Sequence, residues 1–222
     1  MKDSEIRLAL KLKHEVFINS LFHQETKDLI RTKTFFAGGA IRDMIRGEIP
    51  KDYDLFFIDE ESVNKFKSLV KREYSLKETM IGNFNDRNSS VQVITLVSGS
   101  PTDVVNSFDF TINQGYYIPQ MDVLTKGSEV NILETCPNVY TPLQALLRIE
   151  KFRKMGYDVP METIVNLGVA ISKLKPLETS DQIRESLKGM SFSEVLEGYK
   201  TNKKKSTGNV SRPVWMSDDN MF

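Results

Sequence analysis

Asp52 and Asp54, two residues apart, are the side chains in this chain best suited to chemistry. They lie at the start of the run Tyr53-Asp54-Leu55-Phe56-Phe57, which is typical of a strand, and alternate side chains of a strand point to the same face. Two like charges on one face favour a cation between them, and Mg²⁺ prefers carboxylate and phosphate oxygens. The spacing therefore predicts a site for divalent metal and a phosphorylated ligand, since metal ions can clamp the attacking and leaving oxygens of a displacement.

The second chemical signal is the segment Gly38-Gly39-Ala40-Ile41-Arg42-Asp43, which lies shortly before the aspartates. Glycines let a backbone approach a ligand closely, and backbone N–H groups at the start of a helix favour phosphate. We expect the glycines to end a strand, residues 40–46 to form a short helix, and Gly47 to end that helix. This segment predicts a phosphate-binding turn beside the carboxylates.

Each of these signals has an ordinary interpretation when it stands alone. An Asp-x-Asp pair is more often the solvated end of a strand, and a double glycine is often a plain strand-to-helix turn. Arg42 alone could be an exposed helix residue, and the histidines His14 and His23 lie in leading helices without metal-binding company. The combination of the glycines with the aspartates is what favours a nucleotide and metal site.

The elements that must position these residues follow an α+β pattern. Amphipathic helical spacing covers residues 4–30, and apolar strands are predicted over residues 34–37 and 53–58. A helix is expected over residues 60–71, after Asp59. Paired strands are expected over 75–81 and 90–97, joined by a turn over 82–88, and a hairpin over 116–118 and 121–124. Thr141, Pro142 and Gln144 predict a capped helix that runs to Met155 and ends at Gly156.

Composition excludes several classes of protein. The 222 residues are 40% hydrophobic, which is enough for a core, and Lys+Arg and Asp+Glu both count 30. This balance gives no global positive field for long nucleic acid. No apolar run is long enough to span a bilayer, and the single cysteine, Cys136, excludes an intramolecular disulfide. A cytoplasmic protein without membrane partners is predicted.

The motifs together resemble the head domain of the polymerase β superfamily of nucleotidyltransferases. The double-glycine segment, Gly47 and Lys51-Asp52-Tyr53-Asp54-Leu55 are most similar to the bacterial class II CCA-adding enzymes and poly(A) polymerases. Asp109-Phe110-Thr111-Ile112-Asn113 is similar to a second block of that family. The helix from Pro142 to Gly156 is similar to its neck helix. The resemblance covers about residues 34–160.

The resemblance implies a fold, a chemistry and a set of site residues. The fold is a polymerase-β-like α+β head with a short mixed sheet flanked by helices, over residues 1–140, followed by a short helical neck-like region over 141–199 and a flexible tail over 200–222. The chemistry is transfer of a nucleoside monophosphate from an NTP to an acceptor hydroxyl, with Mg²⁺ or Mn²⁺ as cofactor. The implied metal ligands and catalytic residues are Asp52 and Asp54, and the implied nucleotide-binding residues are Gly38, Gly39, Arg42, Asp43, Asp109 and Asn113. Arg42 supports either the phosphates or the local fold.

The chain also departs from the family. Gln92 stands where the relatives carry a third carboxylate, and Ser107 and Phe108 replace paired arginines. An ungapped match puts Tyr140, Thr141 and Gln144 where the relatives have the Glu-Asp-x-x-Arg element that reads the base. The segment after Gly156 is much shorter than the tRNA-gripping body of the relatives. Faithful CCA addition is therefore not expected.

Two hypotheses follow from these matches and departures. The first is a nucleotidyltransferase whose acceptor is an RNA 3′ end, a small molecule or a protein. The second is a catalytically impaired binding module for a nucleotide, RNA or a protein, with the C-terminal tail around Trp215 as a docking segment. The compact form is similar to phage-type members of the superfamily, and for a phage-encoded protein the predicted location is the host cytoplasm.

Overall fold

The computed structural model describes residues 1–79, 82–86, 89–137, 139 and 141–173. They form two compact units, one of residues 1–106 and 112–129 and another of residues 107–111 and the chain from Val130 onward. The predicted short helices beyond residue 173 and the tail over 200–222, with Trp215, lie outside the described residues. The predicted division at residues 140 and 199 stays a prediction.

The first unit is built on a mixed sheet. Its strands are β1 Thr34–Ala37, β2 Tyr53–Phe57, β3 Leu76–Glu78, β4 Phe84–Asp86, β5 Val91–Ser98, β6 Tyr116–Ile118 and β7 Val123–Thr125. Their order across the sheet is β3-β4-β5-β2-β1-β6-β7. β2 and β5 run parallel, and the other neighbouring pairs run antiparallel. The predicted α+β class with a mixed sheet flanked by helices is confirmed.

Five helices of the first unit surround this sheet in the described part of the chain. They are α1 Asp3–Ser20, α2 Gln24–Lys33, α3 Gly39–Ile45, α4 Glu60–Leu69 and α5 Pro101–Asn106, and short 3-10 turns cover Val70–Arg72 and Thr111–Asn113. Asp59 caps α4, because its carboxylate accepts a hydrogen bond of 2.7 Å from the Ser62 N–H. None of the described helices is long and apolar enough to cross a membrane.

The core of the first unit lies on one face of the sheet. Leu55 and Phe57 of β2 are fully buried there, together with Ile6 and Phe17 of α1 and Phe66 of α4. Alternation along β2 places the side chain of Asp54 on the opposite face. Burial of the apolar residues therefore determines which face of the sheet carries the carboxylate.

One predicted turn is wrong. Residues 82–88 were expected to join two paired strands, but β4 lies within them and separates β3 from β5 in the sheet. Phe84 is buried and packs edge-on against Phe66, with ring centroids 5.4 Å apart. Turn-forming residues dominate the local composition, and only the burial of Phe84 reveals the strand.

In the described part of the second unit, up to residue 173, the helices are α6 Pro142–Lys154 and α7 Met161–Ser172. Phe110, Phe152 and Tyr157 form an aromatic cluster, with ring centroids 5.2 Å and 5.8 Å apart in successive pairs. Gly156 has φ +87°, in the left-handed region that favours glycine, and it follows α6 as predicted. The helix ends at Lys154, one residue before the predicted end at Met155, so its predicted extent is confirmed to within one residue.

Candidate functional site

The two aspartates lie at the entry to β2. Asp52 precedes the strand and is exposed, whereas Asp54 is its second residue and is half-buried. Among the described residues, neither carboxylate has a hydrogen-bond or ion-pair partner. Burial, and secondarily the charge of Asp52, raise the pKa of Asp54 to about 6. The pair is therefore an uncompensated negative charge at one end of the sheet.

The donor chemistry of this pair fits a divalent cation. Carboxylate oxygens are the donors that Mg²⁺ and Mn²⁺ prefer, and Mg²⁺ sites commonly combine one or two carboxylates with phosphate oxygens and water. The described residues contain no group of three or more His, Cys, Asp or Glu side chains that could hold a metal. A cation at Asp52 and Asp54 would thus depend on ligand oxygens and water for most of its coordination.

The turn that follows β1 lies at the same end of the sheet. β1 and β2 are antiparallel with Phe36 opposite Leu55, so the end of β1 is next to the start of β2. Gly38 has φ +92° and ψ −138°, a conformation that L side chains rarely adopt. Its N–H donates a hydrogen bond of 2.9 Å to the Gly115 carbonyl. The predicted glycine turn is therefore present beside the carboxylates.

Gly115 is a positioning residue that the sequence interpretation missed. A Cβ at this position would lie 2.7 Å from Ile41 Cγ2 and 3.2 Å from the Gly127 nitrogen. Ile41 is fully buried in α3, so it cannot easily move aside. Glycine at position 115 thus allows the chain before β6 to approach α3 and to hold the Gly38 turn.

Arg42, Asp43 and Asn113 are brought together in the first unit. The Arg42 Nε and Nη2 groups donate to Asp43 Oδ1, the former at 2.8 Å, and Nη1 donates to Asn113 Oδ1 at 2.8 Å. Arg42 is only 8% exposed. Of its two predicted roles, this geometry favours support of the local fold, since its fork joins α3 to the turn that carries Asn113. Contact of these residues with a nucleotide stays a prediction.

The neighbour of Asp54 across the sheet is Gln92. The parallel pairing of β2 and β5 puts Asp54 opposite Gln92, and Gln92 is in turn opposite Asn85 of β4. Residues opposite one another in a sheet share a face, so these three side chains form a polar row. The position that the resemblance associates with a third carboxylate therefore adjoins Asp54 and carries a neutral amide.

Asp109 belongs to the second unit and has protein partners. It is 3% exposed, it accepts a hydrogen bond of 2.7 Å from Thr141 Oγ1, and it forms an ion pair with Arg148 Nη1. Burial raises the pKa of Asp109, while Arg148 and the Thr141 hydroxyl act in the opposite direction. Its predicted contact with the sugar of a nucleotide stays a prediction, because the other predicted site residues belong to the first unit.

The second unit corrects one prediction and adds one residue. Thr141 lies at the N-cap of α6, but its side chain makes no cap hydrogen bond, so the predicted capping box is wrong. Its hydroxyl donates to Asp109 because an ionised acceptor makes a stronger hydrogen bond. Arg148 was missed, although it lies one helical turn after Gln144 on the same face of α6. That spacing of four was the available signal.

Comparison with known proteins gives a family match. A family model described as "Gad2: Gabija anti-defense 2 family protein" matches residues 8–135, a range that includes Gly38, Asp52, Asp54 and Gln92. None of the curated proteins matches the chain by sequence.

The solved structures to which the chain is similar at low identity include CCA-adding and tRNA-processing enzymes. A Thermotoga maritima CCA-adding enzyme complexed with tRNA has a TM-score of 0.46 and 14% identity over 66% of this chain and 42% of that chain. A CCA-adding enzyme with CTP has a TM-score of 0.49 and 14% identity over 78% and 46%. A tRNA-processing enzyme with CTP has a TM-score of 0.45 and 17% identity over 76% and 52%. The chain thus spans about half the length of these proteins.

Proposed function

Because the chain belongs to the Gabija anti-defense 2 family, we propose that it counters the Gabija defence as a metal-dependent nucleotidyltransferase. It transfers a nucleoside monophosphate from an NTP to an acceptor hydroxyl. The observation that carries this proposal is the uncompensated pair Asp52 and Asp54 beside the Gly38 turn. A largely desolvated carboxylate with a raised pKa and no cationic partner, as at Asp54, is typical of functional sites.

The site residues have distinct roles in the proposed reaction. Asp52 and Asp54 would hold Mg²⁺ or Mn²⁺, which when bound neutralises charge on the triphosphate. Gly38 and Gly39 let the backbone approach the phosphates, and Arg42 positions Asn113. The acceptor oxygen forms a bond to the α-phosphorus, the bond from that phosphorus to the bridging oxygen breaks, and pyrophosphate leaves. The hydroxyl proton passes to solvent, and positioning supplies most of the rate enhancement.

The proposed acceptor is not a tRNA that awaits CCA. The element that reads the base in CCA-adding relatives has no counterpart at Thr141 and Gln144, and Thr141 is engaged with Asp109. The acceptor classes that remain are an RNA 3′ end, a small molecule and a protein hydroxyl. The family name suggests that the acceptor belongs to, or regulates, the Gabija defence.

A labelling experiment tests the transfer. The protein is incubated with Mg²⁺ or Mn²⁺, an extract of cells that carry Gabija, and NTPs labelled at either the α- or the γ-phosphate. Label from the α-phosphate should enter an acceptor, whereas label from the γ-phosphate should leave with pyrophosphate. Nuclease and protease digestion then identify the class of acceptor.

Variants at the site provide the controls for this experiment. The Asp52→Asn/Asp54→Asn variant should lose about 100-fold or more of the transfer, because the charge that holds the metal is gone. Asp28→Asn, which removes an exposed acid of α2, should label like the wild type. Equal labelling by the wild type and the double variant would contradict the proposal. In cells that carry Gabija, the double variant should also fail to relieve the defence.

A second candidate function is a nucleotide-binding module that has lost catalysis, and Gln92 is the observation that favours it. Thermal melting with each NTP, with and without Mg²⁺, distinguishes the two. Stabilisation by an NTP and Mg²⁺ without any label transfer would favour the binding module. Stabilisation together with transfer that needs Asp52 and Asp54 would favour the enzyme.

A further inference from the structure

We propose that the candidate site holds one divalent cation rather than two, and that Gln92 is the residue that determines this number. This inference rests on the proposed function, because it concerns the same metal site. It specifies how the site differs from a two-metal site, in which ions about 3.5–4 Å apart contact both the attacking and the leaving oxygen.

Gln92 is the neighbour of Asp54 on the adjacent strand. Asp54 and Gln92 are opposite each other in the parallel ladder of β2 and β5, so their backbones are one strand spacing apart, about 4.8 Å. Their side chains share a face of the sheet. A side chain at position 92 therefore reaches the space beside Asp54 that a second ion would occupy.

The two possible ions differ in how their charge would be balanced. An ion held with a triphosphate is neutralised by the phosphate oxygens as well as by the protein. An ion on the acceptor side of Asp54 would meet fewer phosphate oxygens than the first ion, so carboxylates would have to balance more of its charge. Gln92 contributes an amide, which can offer an oxygen but no charge, and Mg²⁺ gives up its water reluctantly for such a ligand.

The residues beyond Gln92 add no further negative charge to the polar row. Asn85, the next residue along the polar row, is also neutral and is about 10 Å from Asp54, two strand spacings away. The described residues contain no cluster of three metal-binding side chains. Among the described residues, Asp52 and Asp54 are thus the carboxylates that this site offers, and two carboxylates are enough to hold one ion together with phosphate oxygens.

Counting bound Mn²⁺ tests this inference. The full chain is dialysed to equilibrium against Mn²⁺ together with an NTP analogue, and the four analogues are used in turn. Each analogue carries a methylene group between the α- and β-phosphates, so it can bind but cannot release pyrophosphate. The wild type should bind one Mn²⁺ per chain in excess of the Mn²⁺ found in the protein-free chamber, which contains the nucleotide analogue alone. Gln92→Glu should bind two, and its electron paramagnetic resonance spectrum should show two coupled Mn²⁺ ions.

Asn85→Glu is the matched control, because it adds the same charge to the same row one strand further from Asp54. It should bind one Mn²⁺, like the wild type. Gln92→Asp is a second variant in case Gln92→Glu does not fold, and the count for the wild type needs no variant. Melting curves should show that Gln92→Glu gains more stability from Mn²⁺ than Asn85→Glu does.

The outcomes separate this inference from the proposed function. Two ions on the wild type would overturn the single-cation inference and leave the transferase proposal standing. No bound ion with any analogue would contradict the transferase proposal itself. A folded Gln92→Glu or Gln92→Asp protein that still binds one ion would overturn the role given to Gln92.

Discussion

Asp54 in the first unit and Asp109 in the second are both withdrawn from water, yet the protein treats their charges in opposite ways. Asp54 has no partner among the described residues, and its near neighbour Asp52 carries the same charge. Asp109 is more deeply buried and is met by the Arg148 guanidinium and the Thr141 hydroxyl. Burial raises the pKa of both carboxyls, so burial alone does not mark a functional acid. What distinguishes Asp54 from Asp109 is that the protein provides no opposite charge for Asp54 among the described residues.

The charges of Asp54 and Asp109 should affect the stability of the folded state differently. A charge that the protein leaves uncompensated lowers the stability of the folded state, and such a cost is common where a ligand supplies the missing charge. A charge that the protein compensates contributes to the packing of its surroundings. Substitutions at the two sites should therefore have opposite effects on stability.

The largest expected effect is at Arg148. Arg148→Ala leaves the buried Asp109 carboxylate without its cation, which should cost about 2–3 kcal/mol of the free energy of unfolding at pH 7.5. Urea denaturation measures it. Asp109→Asn in the same chain should recover most of the loss, since the uncompensated charge is then absent. Lys151→Ala, which changes an exposed residue of α6, is the control. An equal loss of stability in Lys151→Ala would show that the ion pair of Asp109 and Arg148 has no special role.

His14 is a buried base, and burial shifts its pKa in the direction opposite to that of the two acids. Desolvation lowers the pKa of His14 to about 4, below its usual 6.5. The unfolded chain therefore binds more protons between these values, and stability should fall by about 2–3 kcal/mol as the pH decreases from 6.5 to 4. His14→Gln should flatten this part of the profile, whereas His23→Gln should retain it. If the profile of stability against pH kept its slope in His14→Gln, His14 would not be the group responsible for the pH dependence.

Asp54→Asn should stabilise the protein while it abolishes transfer. Because the pKa of Asp54 is raised from 3.8 to about 6 in the folded state, the folded chain binds more protons between these values, and its stability falls as the pH rises from 3.8 to 6. Removing the charge should add about 1–2 kcal/mol at pH 7.5 without divalent metal, a value reduced for the partial exposure of the side chain. The gain should shrink as the pH falls from 6 towards 3.8. A loss of stability in this variant would show that Asp54 has a structural partner.

The smallest effect is expected at Thr141. Thr141→Val removes one hydrogen bond to the Asp109 carboxylate and should cost about 1 kcal/mol in urea denaturation. Thr141→Ser keeps the hydroxyl and should remain close to the wild type. If both variants lost the same stability, packing of the methyl group rather than the hydrogen bond would be responsible.

Much of the first unit could be predicted from the sequence because its signals are local. The signals are the apolar run of β1, the alternation of β2 and the cap at Asp59, and each depends on neighbouring residues. The candidate acids were found in the same way, from a spacing of two on a strand. β4 was missed because its burial depends on Phe66, which is distant in the sequence.

The kinds of side chain at the site, and the fact that Asp54 points away from Tyr53 and Leu55, follow from the order of residues along β2, since alternate residues of a strand point to opposite faces. Which carboxylates have a cationic partner depends on contacts between distant parts of the chain. Strand register puts Gln92 opposite Asp54, and helix packing brings Arg148 to Asp109. Such contacts join residues far apart in the chain, so the burial of the whole core, rather than any local preference, selects them.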